Sequence, residues 1–168
     1  MKTLLLMRHA KSSWKHHNIE DHERPLNKRG KKDAPLMGKL IRDKELLPQD
    51  ILSSSALRAK STAEALTDSS DYKGKIIFLD SLYLAEPHAY FEELTKLPDD
   101  IERVMLIGHN PGIEGVAQML SGQVVSMPTA SIVYLVLPID HWSDLNSDTQ
   151  GELVEIWRPR DLKEKSKK

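Results

Sequence analysis

Four short stretches, Thr3 to Met7, Asp50 to Leu52, Lys75 to Leu79 and Arg103 to Ile107, are mainly apolar rather than alternating. Such strands need cover on both faces, which predicts a mostly parallel sheet. Segments of helical spacing separate them, so the chain reads as α/β, with a mostly parallel central sheet and helices on both faces. Ser131 to Leu137 and Glu152 to Trp157 follow with no helical stretch between them, as an antiparallel pair at the end would. Between strands, Lys31 to Leu46 is predicted helical, with Pro35 either in its first turn or kinking it. Ala56, Ala59, Ala63 and Leu66 mark a second helix with Ser55 as its N-cap. A third runs from Pro87 to about Leu97. Asn110 is placed as the cap of a fourth, with Pro111 at its first position and Gly122 beyond its end.

At 168 residues the chain is the size of one domain, read as residues 1–158 plus a basic tail, 159–168, expected to be flexible. Lysine and arginine total 24 against 25 acidic residues, so no overall field draws nucleic acid or an anionic membrane. With no cysteine there are no disulfides, thiol nucleophiles or zinc-thiolate sites. The longest strictly apolar run, Ile132 to Leu137, is far below the ~20 residues that span a bilayer. A cytoplasmic protein is expected, and nothing in the sequence fixes an oligomeric state.

Chemistry concentrates where three predicted parallel strands end, the edge at which α/β sheets bind ligands. The first strand runs into Arg8-His9, Arg58 follows the second, and the fourth ends Gly108-His109-Asn110-Pro111-Gly112. Two arginines and two histidines at one edge make a cationic pocket suited to a phosphoryl dianion. Arg58 also sits in a first helical turn, where the macrodipole disfavours a cation by roughly 0.3–1 kcal/mol, so an anion should offset it. A histidine flanked by arginines has its imidazolium disfavoured, and the neutral ring can attack phosphorus.

At these residues the chain resembles the histidine phosphatase superfamily, whose hallmark is Arg-His-Gly after the first strand; here it reads Arg8-His9-Ala10. Met7 to Trp14, Arg24-Pro25-Leu26, Ser53 to Ala59 and Gly108 to Gly112 are similar to the SixA-type phosphohistidine phosphatases. The resemblance implies a single-domain, phosphoglycerate-mutase-like fold. It implies that His9 is transiently phosphorylated while Arg8, Arg58 and His109 cradle the phosphoryl group, with no metal or other cofactor. His16, His17 and His22 lie among charged residues in a predicted loop, and no spacing completes a metal site. Ala10 in place of glycine requires the turn to avoid positive φ or to tolerate mild strain.

Many superfamily members supply a carboxylic general acid beyond the third strand, and Glu86 is the first candidate here, with Asp80 second. Expelling an imidazole, with a conjugate-acid pKa near 6.5, demands far less protonation than expelling an alkoxide. The segment between Asp80 and Arg103 leaves room for little beyond one helix, so the pocket should be shallow and open. Such a pocket admits a phosphohistidine-bearing protein, and a small phosphorylated substrate is the alternative. A non-catalytic phosphate-binding module is the rival from another class. Lys11, Ser12, Ser13 and Trp14 either contact the substrate or pack the loop, with Ser12 taken as the substrate-binding candidate. Arg24 either steers the anion or pairs with Glu20, Asp21 or Glu23.

Overall fold

A computed structural model describes residues 1–166, with side chains to 164. Among the described residues six strands form one sheet: β1 Lys2–Arg8, β2 Asp50–Ser54, β3 Lys75–Leu79, β4 Arg103–Gly108, β5 Ile132–Leu137 and β6 Glu152–Trp157. Their order is β3-β2-β4-β1-β5-β6, with the first four parallel and β5 and β6 antiparallel. The helices are α1 Lys28–Asp43, α2 Leu57–Ser70, α3 Pro87–Thr95, α4 Gly112–Ser121 and α5 Pro159–Ser166.

Successive side chains of a strand point to opposite faces, and β1 shows why its run is apolar throughout. Leu5 and Met7 enter one core with Met37 and Ile41 of α1 and Ala63 and Leu66 of α2. Leu4 and Leu6 enter the other, with Phe91 and Leu94 of α3 and Val116 and Leu120 of α4. Helices therefore cover both faces, as expected from sequence.

Helix boundaries moved for local reasons. The first helix begins three residues before the expected Lys31, because the Asn27 side chain accepts the Gly30 N–H at 2.9 Å and caps it there. Pro35 consequently lies inside the helix. It ends at Asp43 because Glu45 turns left-handed (φ 59°) and the Leu46 N–H returns to the Ile41 carbonyl at 2.8 Å. That is a Schellman closure, in which Leu46 is the apolar residue after the cap and not a helical residue. Ser55 is not the cap of α2. Ala56 holds that place without a side-chain cap, Ser54 Oγ accepts the Ala56 N–H, and Ser55 Oγ lies 3.0 Å from His22 Nε2. Asn110 does not cap α4 either, since its amide donates to the Met127 carbonyl at 3.1 Å and Pro111 takes the cap position. Gly122, at φ 68°, ends α4 as its sequence position implied.

The segment expected to be a flexible tail is helical over Pro159–Ser166. Asp33 on α1 is buried, and Lys163 Nζ reaches its Oδ1 at 2.5 Å while Arg29 Nε stands 3.5 Å from Oδ2. A buried carboxylate requires such partners, and this one ties α5 to α1. Residues 167 and 168, the end of the expected tail, lie outside the described residues.

Candidate active site

The parallel register sets the site. Arg8 pairs in register with Gly108, and Ser53 with Ile107, so Arg8, Ser54 and Gly108 end neighbouring strands at one level. His9 and His109 are the next residues on adjacent strands, and the His9 N–H donates to the Gly108 carbonyl at 3.0 Å. Their rings lie 5.1 Å apart, centroid to centroid. Arg8, His9, Arg58 and His109 all line one small cavity of about 130 Å³. That is room for a tetrahedral oxyanion.

His9 Nδ1 donates to the Ala10 carbonyl at 2.7 Å, an acceptor that fixes the proton on Nδ1 and leaves the lone pair on Nε2. Burial pushes the His9 imidazolium down to about 4; the Ala10 bond opposes this, and Arg58, Arg8 and Arg24 reinforce it. The flanking arginines do disfavour the charged ring, as expected, but burial is the larger cause. His109 is pushed down to about 3, again first by burial and then by His9 and Arg58, with Asp21 opposing. Its Nε2 lies 2.8 Å from Ser54 Oγ, whose hydroxyl also accepts the Ala56 N–H.

Ala10 is absent from the residues at positive φ, so the turn avoids the left-handed conformation that glycine would permit. Its N–H donates to Thr62 Oγ1 at 2.9 Å, and that hydroxyl donates to the Arg58 carbonyl, coupling the loop after β1 to the first turns of α2. Opposite, the Ala130 N–H reaches the Arg8 and His9 carbonyls, and Arg8 Nη1 donates to the Met127 carbonyl at 3.1 Å.

The anion that Arg58 calls for is Asp21, which receives Nη2 at 3.0 Å on Oδ2, while Nη1 donates to the Asp21 carbonyl at 2.8 Å. Arg24 takes the ion pair with Asp21. Its Nη1 donates to Asp21 Oδ1 at 3.0 Å, and the residue also lines the cavity. Tyr83 donates its hydroxyl to Asp21 Oδ2, and that bond, followed by those from Arg24 and Arg58, holds the Asp21 carboxyl well below the usual carboxylate range against the opposing effect of burial. Ser12 lines the cavity, with its Oγ accepting Arg24 Nη2 at 2.5 Å; Lys11 lines it as well.

Glu86 is not brought to the site. Its side chain is 81% exposed, its carboxylate lies 3.6 Å from His88 Nδ1, and it does not line the cavity. Asp80 is also exposed and absent from the lining. The chain after β3 meets the cavity rim at Leu84 and has left it by Glu86. Reasoning from sequence missed Tyr83, Ser54 and Thr62 and left Arg24 outside the central set; the segment Arg24-Pro25-Leu26 was the available signal. Among the described residues no three His, Asp or Glu side chains group as a metal site, and no helix is long and apolar enough to cross a membrane.

The histidine phosphatase superfamily (branch 1) model matches residues 4–82. An uncharacterized chloroplastic protein of Arabidopsis thaliana is 33% identical over 152 residues, covering 85% of this chain and 70% of its own. A protein of Agrobacterium tumefaciens assigned as the phosphohistidine phosphatase SixA is 25% identical, with a TM-score of 0.81, covering 94% of this chain and 98% of that one. The protein histidine phosphatase SixA complexed with tungstate superposes with a TM-score of 0.81 at 21% identity, covering 95% and 99% of the two chains. Family and fold together define a phosphatase. The chain belongs to the histidine phosphatase superfamily.

Proposed function

We propose that the protein hydrolyses phosphohistidine in proteins through a covalent intermediate on His9. His9 Nε2 attacks phosphorus, the bond from phosphorus to the substrate nitrogen breaks, and its electron pair leaves with the substrate imidazole. Arg8, Arg58 and Arg24 neutralise the non-bridging oxygens, and His109 donates a hydrogen bond from the ring nitrogen not engaged with Ser54. Water then attacks phosphorus, His9 departs as the neutral ring, and inorganic phosphate is released. The guanidiniums supply the positive charge that a metal ion provides elsewhere.

The observation that carries this reading is the cavity lining, which among the described residues contains four cationic residues, two histidines and no carboxylate. An alkoxide leaving group demands a proton from an acid, and Asp21, the carboxyl bonded to Arg24 and Arg58 of the lining, is held ionised by them and by Tyr83. An imidazole leaves without that help. The SixA protein solved with tungstate, a tetrahedral oxyanion, adds support by analogy of fold.

A side-by-side turnover assay on a phosphohistidine-bearing protein and on alkyl phosphates such as glycerol phosphate tests the substrate class. Preference for the phosphohistidine protein by at least 100-fold in kcat/KM is expected. Equal or better turnover of the alkyl phosphate contradicts it and selects a small phosphoester as the substrate. Binding without turnover selects a phosphate-binding module.

A further inference from the structure

Arg8, Arg24, Arg58 and His109 line the cavity and suit it to the phosphoryl group, which leaves the group that carries it toward the mouth. Two of the lining residues there are exposed and apolar, Trp14 at 70% and Leu84 at 55% exposure. The Arg24 guanidinium carbon sits 3.3 Å from the Trp14 ring centroid, which holds the indole in place over a residue of the phosphate pocket. Its high exposure leaves the rest of the ring to solvent. Leu84 is held at φ 48°, a conformation unfavourable for leucine. Strain of this kind at a cavity rim points to a role for that side chain's placement. Neither residue is needed to hold the phosphoryl group, and burial in the core explains neither.

We infer that Trp14 and Leu84 form an apolar mouth that receives the imidazole ring of the phosphorylated histidine while its phosphoryl group fills the cationic cavity. The inference rests on the phosphohistidine reading above and names the residues that select this leaving group. A flat aromatic ring stacks on indole and packs against a leucine side chain, whereas the hydroxylated carbons of a sugar phosphate gain little from either. The ring leaves carrying the electron pair of the broken phosphorus–nitrogen bond, so the mouth contacts it before and after cleavage and acts on binding as well as rate.

Phosphoimidazole and phosphoramidate are the paired probes, since both break a phosphorus–nitrogen bond and only the first carries a ring. The ratio of their kcat/KM values should fall about fivefold in Trp14→Ala, fall to a smaller degree in Leu84→Ala, and recover in Trp14→Phe. Equal losses on both probes, or an unchanged ratio, overturn the inference, an equal loss pointing instead to displacement of Arg24. Wild-type enzyme inactive on phosphoimidazole and also on a phosphohistidine-bearing protein would refute the phosphohistidine reading itself, and so separates the two failures.

Discussion

Arg58 meets Asp21 twice, through Nη2 to Oδ2 at 3.0 Å and through Nη1 to the backbone carbonyl at 2.8 Å. Arg24 and Tyr83 share the same carboxylate, so one side chain orients two guanidiniums on the rim of the anion site. Asp21→Ala is expected to raise KM and lower kcat/KM about tenfold, in the range of one charge-assisted hydrogen bond. Asp21→Asn, which keeps the geometry of a single acceptor, should lose less. Steady-state kinetics with phosphoramidate separate these outcomes, and an unchanged KM in Asp21→Ala would contradict the positioning role.

Both site histidines are neutral well below the ordinary range, at about 4 for His9 and about 3 for His109. Unfolding lets both rings protonate near pH 6.5, so the unfolded chain binds more protons as pH falls below that value. Their contribution to stability is full above pH 6.5, declines as pH falls, and levels off below the folded-state values. Denaturant unfolding at a series of pH values should show this decline between about 6.5 and 4, and His9→Asn should flatten it. The His9 and His109 ring resonances in NMR should remain those of neutral imidazole at pH 5.5; a His9 midpoint near 6.5 would contradict the assignment.

Ser54 holds His109 through the 2.8 Å contact to Nε2. A hydroxyl that accepts the Ala56 N–H has its own proton to give to that nitrogen, which places the ring proton on Nδ1. Ser54→Ala should lower kcat by about tenfold with little change in fold, judged by circular dichroism, and Ser54→Thr should restore part of it. Full activity in Ser54→Ala would show that the ring needs no such partner.

Removing the ammonium of Lys163 leaves the buried Asp33 carboxylate with Arg29 at 3.5 Å. Lys163→Met is expected to destabilise the fold by about 2 kcal/mol. Thermal or urea unfolding of the two proteins measures the difference, which Asp33→Asn in the same chain should reduce.

The sheet was legible because each buried strand is apolar on both faces, as Leu4 to Met7 of β1 show, and the two strands outside the parallel set lack an intervening helix. His9, His109, Arg8 and Arg58 were legible because strand ends of a parallel sheet share one edge. What escaped depends on contacts between residues remote in sequence. Ser55 carries the chemistry of an N-cap, yet His22 engages it. Lys163 belongs to a charged, polar segment that reads as disorder until Asp33, 130 positions earlier, is found buried beside it. Glu86 has the chemistry of a general acid, and only the path of the chain through Leu84 carries it away from the cavity.

The most direct measurement is rapid acid-free quenching of the enzyme during turnover of phosphoramidate, followed by mass spectrometry of its peptides. A phosphoryl group on His9, stable in alkali, lost in acid and absent from His9→Ala, is the predicted result. Turnover with unmodified His9 under conditions that trap a phosphorylated-histidine standard, or turnover that survives in His9→Ala, would contradict the account.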